Sequence, residues 1–97
     1  MKYLALEKEL DKGNRQRIES LLESEARRVY ELYLQGIIRE CYFSKEGHNA
    51  IIIMECKNKK EAFNTLKTLP LVEENIIEFQ LFTLLPYSGL DRFFNKH

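Results

Sequence analysis

The alternation of apolar and polar positions is clearest towards the end of the chain, in residues 76–85. Side chains of a strand point alternately to its two faces. Here the two sets are Ile77, Phe79 and Leu81 against Glu78, Gln80, Phe82 and Leu84. The first face is wholly apolar and suits a covering of helices. The second is too polar for a sealed core and too apolar for open water, so we expect this strand to border a partly enclosed space.

Helical spacing replaces alternation in two earlier stretches. Within residues 15–35 the predicted buried stripe is Ile18, Leu21, Leu22, Val29, Leu32 and Tyr33. Gly36 follows, as glycine does at a left-handed helix cap. A second helix is expected to begin at Asn58, with Glu61 in the position of a capping box, and to end at Pro70. Its inner stripe is predicted to be Ala62, Phe63, Leu66 and Leu69.

Three further strands are predicted at residues 3–9, 37–43 and 48–56. The last of these is apolar on both sides, which is typical of a strand covered on both faces. Residues 44–47 form the predicted hairpin turn, with Gly47 at positive φ. A turn containing Gly13 is expected before the first helix, with Asp11 or Asn14 as its cap.

The order of elements is β-α-β-β-α-β, the split βαβ or ferredoxin-like arrangement of an α+β protein. Residues 1–97 form one domain, with the first and third strands in the middle of a four-stranded antiparallel sheet. Both helices cover one face of that sheet. We expect Met54, Phe82 and Leu84 or their neighbours on the other face, where an exposed apolar patch favours pairing of two chains into a dimeric α/β barrel.

Charge and composition exclude several classes of function. Fifteen basic residues balance fifteen acidic ones, so there is no general attraction to nucleic acid or to an anionic membrane. RNA-recognition domains share the order of elements, but the third strand here lacks their aromatic platform. No apolar run is long enough to span a membrane and no signal peptide is visible, so we expect a cytoplasmic protein. The predicted hairpin keeps Cys41 and Cys56 too far apart for a disulfide, and without a clustered histidine pair they form no zinc site.

Three short motifs resemble the muconolactone isomerase family, a branch of the dimeric α/β barrel superfamily. They are Gly36-x-x-Arg39, Gly47-His48-x-Ala50 and Leu69-Pro70-Leu71, the last followed by an alternating strand. The tail Leu85-Pro86-Tyr87 looks like that of small relatives of this family. The resemblance implies a homodimer or larger homo-oligomer that needs neither cofactor nor metal and encloses a small-molecule cavity.

Six residues are candidates for that cavity. His48 and Glu78 are the candidate catalytic acid–base residues, because imidazole and partly buried carboxylates exchange protons near neutral pH. Arg39 is the candidate carboxylate clamp, and the other substrate-binding candidates are Glu40, Tyr42 and Gln80. Purely structural roles also remain open: a rim salt bridge for Arg39, a turn position for His48 and a polar edge for Glu78. We expect Glu78 to line the cavity with Arg39 or His48 beside it.

Three functions remain in contention. The first is binding or isomerisation of a small carboxylate or lactone metabolite by cofactor-free acid–base chemistry. The second is a non-catalytic ligand-binding or assembly module, and the third is a cofactor-free monooxygenase of the same superfamily. Convergence of acid–base groups in one closed pocket favours the first over the second. The aromatic tail with Tyr87, Phe93 and Phe94 is expected to pack on the partner subunit or over the barrel mouth.

Overall fold

The computed structural model describes residues 1–10 and 15–94 of the chain. The strands are β1 (Lys2–Glu9), β2 (Ile38–Phe43), β3 (Ala50–Glu55) and β4 (Ile77–Leu84), and the helices are α1 (Arg15–Leu34), α2 (Lys59–Leu66), α3 (Pro70–Glu73) and α4 (Asp91–Phe94). The predicted turn with Asp11, Gly13 and Asn14 lies outside the described residues. The predicted βαββαβ order is confirmed, with α3 and α4 as short additions.

The sheet has the strand order β2-β3-β1-β4, and every neighbouring pair is antiparallel. The prediction that the first and third strands lie in the middle is therefore confirmed. Cys41 pairs with Ile52 across β2 and β3, and both Cys41 and Cys56 carry free thiols. An irregularity between Ile38 and Glu40 shifts the register of β2 by one residue.

One face of the sheet carries the core together with α1 and α2. Its buried strand residues are Tyr3, Ala5, Ile38, Ile52, Met54, Ile77, Phe79 and Leu81, which cluster with Leu32 of α1 and with Ala62 and Leu66 of α2. Both long helices thus cover the same face. The expectation that Met54 lies on the open face was wrong. Met54 pairs with Tyr3 and is fully buried, because the doubly apolar β3 presents its even-numbered residues to the helices.

The helix ends follow the local chemistry of the sequence. Gly36 has φ +78°, the left-handed conformation that ends α1. Asn58 caps α2, and its side-chain oxygen accepts the Glu61 N–H at 2.8 Å. Helix α2 ends at Leu66, earlier than the predicted stop at Pro70. Pro70 instead begins α3, since a proline at the first helical position needs no hydrogen-bond partner for its nitrogen.

Helix α1 packs less closely on the sheet than its apolar stripe predicts. Leu32 is fully buried, but Leu22 and Tyr33 are 48 % and 57 % exposed, and Phe63 of α2 is also exposed. These three positions in the predicted stripes were wrong. Within the described part of the chain, Leu32 is the one fully buried residue of α1, so space remains between the helix and the sheet.

The turn between β2 and β3 has a different conformation from the predicted one. Positive φ occurs at His48 (φ +51°), and Gly47 has no left-handed backbone. Ser44 holds this turn: its carbonyl accepts the His48 N–H at 3.0 Å, and its hydroxyl accepts the Asn49 N–H at 3.0 Å. A Cβ at Gly47 would meet the side-chain oxygen of Asn49, so a larger residue there requires that side chain to move.

Candidate functional site

A cavity of about 720 Å³ occupies the space between α1 and the helix-covered face of the sheet. Most of its lining is apolar and includes Ile18, Val29, Ile52, Ile76, Ile77 and Phe79. Its polar members include Glu7, Glu9, Glu25, Cys41 and His48. A mostly apolar cavity of this size with a few convergent polar groups is the usual form of a small-molecule site.

Glu25 projects from α1 into this cavity. It lies seven residues from both Ile18 and Leu32, and therefore on the inner side of the helix. Its Oε1 atom accepts the Leu71 N–H at 2.9 Å, at the start of α3. Burial away from water raises the pKa of Glu25; the Leu71 N–H opposes the rise, and the negative charges of Glu7 and Glu73 add to it. A carboxylate whose pKa is raised is a stronger base than an ordinary carboxylate.

Glu7 supplies a second carboxylate from the neighbouring strand. It shares the inner face of β1 with Tyr3 and Ala5 and is half-buried. Its Oε1 atom accepts the Ala50 N–H at 3.0 Å, where β3 begins beyond the last residue paired with β1. That bond holds the carboxylate against the cavity wall, close enough to Glu25 for the two charges to interact.

His48 lies at the edge of the cavity formed by the β2–β3 turn. Its ring stacks on that of Phe43, with centroids 4.2 Å apart and planes 11° apart. A left-handed backbone is uncommon for a residue other than glycine, and here the hydrogen bonds of Ser44 hold it in place. The turn thus presents an imidazole beside an aromatic ring at the cavity opening.

Of the other sequence candidates, Tyr42 alone is among the described residues that line the main cavity. Glu78 and Gln80 point to the open face of the sheet, and Glu78 forms an exposed ion pair with Lys8 at 3.9 Å. Glu78 also borders a separate groove of about 430 Å³ between α2 and β4. Tyr42 borders the main cavity, but its hydroxyl donates to Glu40 Oε1 at 2.7 Å, and that bond raises the pKa of Tyr42.

Arg39 occupies the irregular position at the start of β2. Its Nε atom donates to the Gly36 carbonyl at 2.6 Å, and its charge helps to lower the pKa of Glu55, although the largest cause of that lowering is the bond from the terminal amine of Met1. This end of the strand is remote from the β2–β3 turn. Within one chain, the structure therefore does not bring Arg39, His48 and Glu78 to one cavity, and only His48 faces the large one.

Glu25 and Glu7 are the functional candidates that the sequence pattern did not single out. Glu25 lies in a charged stretch of α1, between Glu23 and Arg27. The available signal was its phase, because Glu25 is an acidic residue on the apolar stripe. For Glu7, the signal was its place on the same face as Tyr3 and Ala5.

Within residues 1–10 and 15–94, no three metal-binding side chains are grouped closely enough to hold a metal ion. Over the same part of the chain, no helix has the length and apolar character needed to cross a membrane.

The fold is shared with a protein of known structure. The crystal structure of muconolactone isomerase matches 92 % of this chain and 93 % of its own, with a TM-score of 0.76 and 14 % sequence identity. The chain matches no protein-family model. No curated protein is similar enough in sequence to match it either. The expected muconolactone isomerase-like, ferredoxin-like fold is therefore confirmed.

Proposed function

Given a muconolactone isomerase-like fold, we propose that this protein binds a small carbonyl compound such as a lactone in the cavity under α1 and isomerises it by proton transfer. The observation that carries the proposal is Glu25, a carboxyl group with a raised pKa in a largely apolar cavity. Burial strengthens such a group as a base and keeps competing water away from the reacting carbon.

The proposed step needs no group beyond the chain and its ligand. The Glu25 carboxylate removes a proton from the carbon beside the ligand carbonyl, and the electron pair of the broken C–H bond moves into a conjugated enolate. The proton then returns to the far carbon of that enolate, which shifts the carbon–carbon double bond. Glu25 ends as the carboxylate with which it began. His48, at the cavity opening, supplies a second proton-exchanging group for the ligand oxygen.

Isomerisation of α-angelica lactone to its conjugated β isomer, followed by NMR in D₂O, tests this proposal. The wild-type chain is expected to accelerate both the double-bond shift and the incorporation of deuterium. Glu25→Gln keeps an acceptor for the Leu71 N–H but removes the base, so the rate should fall by about 10²–10⁴-fold. Glu23→Gln is the matched control, because Glu23 lies on the exposed face of α1 beside Arg27.

Two results would contradict the proposed isomerase activity or the role of Glu25 in it. If the wild-type chain binds the lactone but the reaction is no faster than in buffer, the protein is a non-catalytic binding module. Equal rates for wild type and Glu25→Gln would remove Glu25 from the chemistry. Loss of activity in Glu23→Gln as well would point to a general effect on the fold.

We further propose that two copies pair through the open face of the sheet. The register places Ile53, Leu4 and Phe82 in one row and Ile51 beside Leu6 in the next. Lysines and glutamates surround these apolar rows, including Lys2, Lys8, Glu40 and Glu78. A two-fold axis presents such a patch to itself, so that its apolar centre is covered and its basic and acidic rims can meet.

A further inference from the structure

The charges around the cavity are unevenly distributed. Among the described residues that line it, three are glutamates, at positions 7, 9 and 25, and none is lysine or arginine. Glu9 interacts with another group. Glu7 and Glu25 each accept a backbone N–H, and the described residues provide neither with a cationic side-chain partner. His48 is the one basic side chain of the described lining.

Arg39, the residue that the sequence suggested as a carboxylate clamp, is engaged elsewhere. Its guanidinium donates to the Gly36 carbonyl at the opposite end of β2 from the cavity opening. A ligand carboxylate in the cavity would therefore meet the carboxylate of Glu7 without a guanidinium to balance it.

We propose that the cavity takes an uncharged ligand and that Glu7 is the specificity residue that rejects carboxylates. The inference rests on the proposed function, because it assumes that the cavity under α1 is the ligand site. Like charges repel strongly where apolar walls exclude water, and a site can select a ligand by repelling its competitor. A lactone, ester or amide has the same carbonyl group without the charge.

Glu7 is placed for this role by the sheet itself. Its carboxylate is tied to the Ala50 N–H, so it cannot swing out of the cavity without leaving that donor unpaired. Glutamine at this position keeps an oxygen acceptor for the same N–H. Glu7→Gln thus removes the charge and keeps the hydrogen bond.

A matched pair of fluorescent probes tests the inference: anthracene-2-carboxamide and anthracene-2-carboxylate, which have nearly the same shape. Each is titrated into wild type, Glu7→Gln and the control Glu46→Gln, whose side chain lies on the exposed β2–β3 turn outside the cavity lining. A shift of the Ala50 amide signal in NMR spectra locates the probe. We expect wild type to bind the amide at least about tenfold more tightly than the acid. Glu7→Gln should bring the two affinities together, and Glu46→Gln should leave the ratio as in wild type.

The outcomes separate this inference from the proposed function. If wild type binds both probes equally, or if Glu7→Gln leaves their ratio unchanged, Glu7 does not select against carboxylates, while the cavity remains a ligand site. If wild type binds the acid more tightly, and His48→Gln abolishes that preference, His48 is an anion site and the inference is overturned. If neither probe binds the cavity, the inference is wrong, whereas the proposed function is decided by the lactone assay.

Discussion

Phe82 offers a direct test of pairing through the open face of the sheet. It lies in the central part of β4, in the same row as Leu4 of β1. In a single chain it is 42 % exposed. Replacing Phe82 by alanine should therefore weaken the homodimer by removing apolar surface that the partner would cover.

The size of the effect follows from that exposure. A covered aromatic side chain buries about 150–250 Å², so about 60–100 Å² of Phe82 remains for a partner to cover. At about 25 cal/mol per Å², this area corresponds to about 1.5–2.5 kcal/mol per chain. A two-fold dimer contains the site twice, which gives about 3–5 kcal/mol. Since about 1.4 kcal/mol is a tenfold change, the dissociation constant should rise by about two to four orders of magnitude.

Analytical ultracentrifugation over a range of concentrations measures the dissociation constant, and circular dichroism checks that the variant is folded. Tyr30→Ala is the matched control, because Tyr30 is an exposed aromatic residue of α1, on the other side of the sheet. A wild-type monomer at micromolar concentration would refute pairing of this strength. A dimer weakened by Tyr30→Ala and left intact by Phe82→Ala would place the interface on the helices.

Other substitutions have expected effects on stability, measured by urea denaturation. Asn58→Ala removes the cap of α2 and should cost about 1 kcal/mol, whereas Asn64→Ala on the exposed surface of α2 should cost less. Gly36→Ala forces a side chain into the left-handed conformation at φ +78° and should cost about 1–2 kcal/mol. Glu25 has a raised folded-state pKa, so the folded chain binds more protons than the unfolded chain and stability should fall as pH rises from the ordinary carboxyl range through that raised pKa. Glu25→Gln should reduce this fall, and an unchanged pH profile would contradict the buried, proton-binding state of Glu25.

The order of the strands and helices could be predicted from the sequence, because each local pattern depends on only a few neighbouring residues. The alternation in residues 76–85 correctly identified Ile77, Phe79 and Leu81 as the buried side of β4. Gly36 and Asn58 marked a helix end and a helix start through their own backbone and side-chain chemistry. From the order of elements, the rule of right-handed crossovers then led to the strand order of the sheet.

Where both faces of a strand are apolar, the local pattern does not tell which face meets the helices. Strand β3 has Ile51 and Ile53 on one side and Ile52 and Met54 on the other, and only its register with β1 decides which pair meets the helices. The conformation of the β2–β3 turn was also not determined by local pattern alone. Glycine is the residue most tolerant of positive φ, yet the hydrogen bonds of Ser44 place that conformation at His48.

The candidate site depended most on the tertiary structure. The sequence by itself determined that Glu7 shares a side of β1 with Tyr3 and Ala5, and that Glu25 lies in the helical phase of Ile18 and Leu32. The tertiary structure decided that α1 stands far enough from the sheet to leave a cavity, and that Glu7 and Glu25 meet in it. It also decided that Arg39 and Glu78 lie away from His48. The physical reason is that helix and strand periodicity specify the direction of a side chain, whereas the distance between layers depends on how all the side chains pack together.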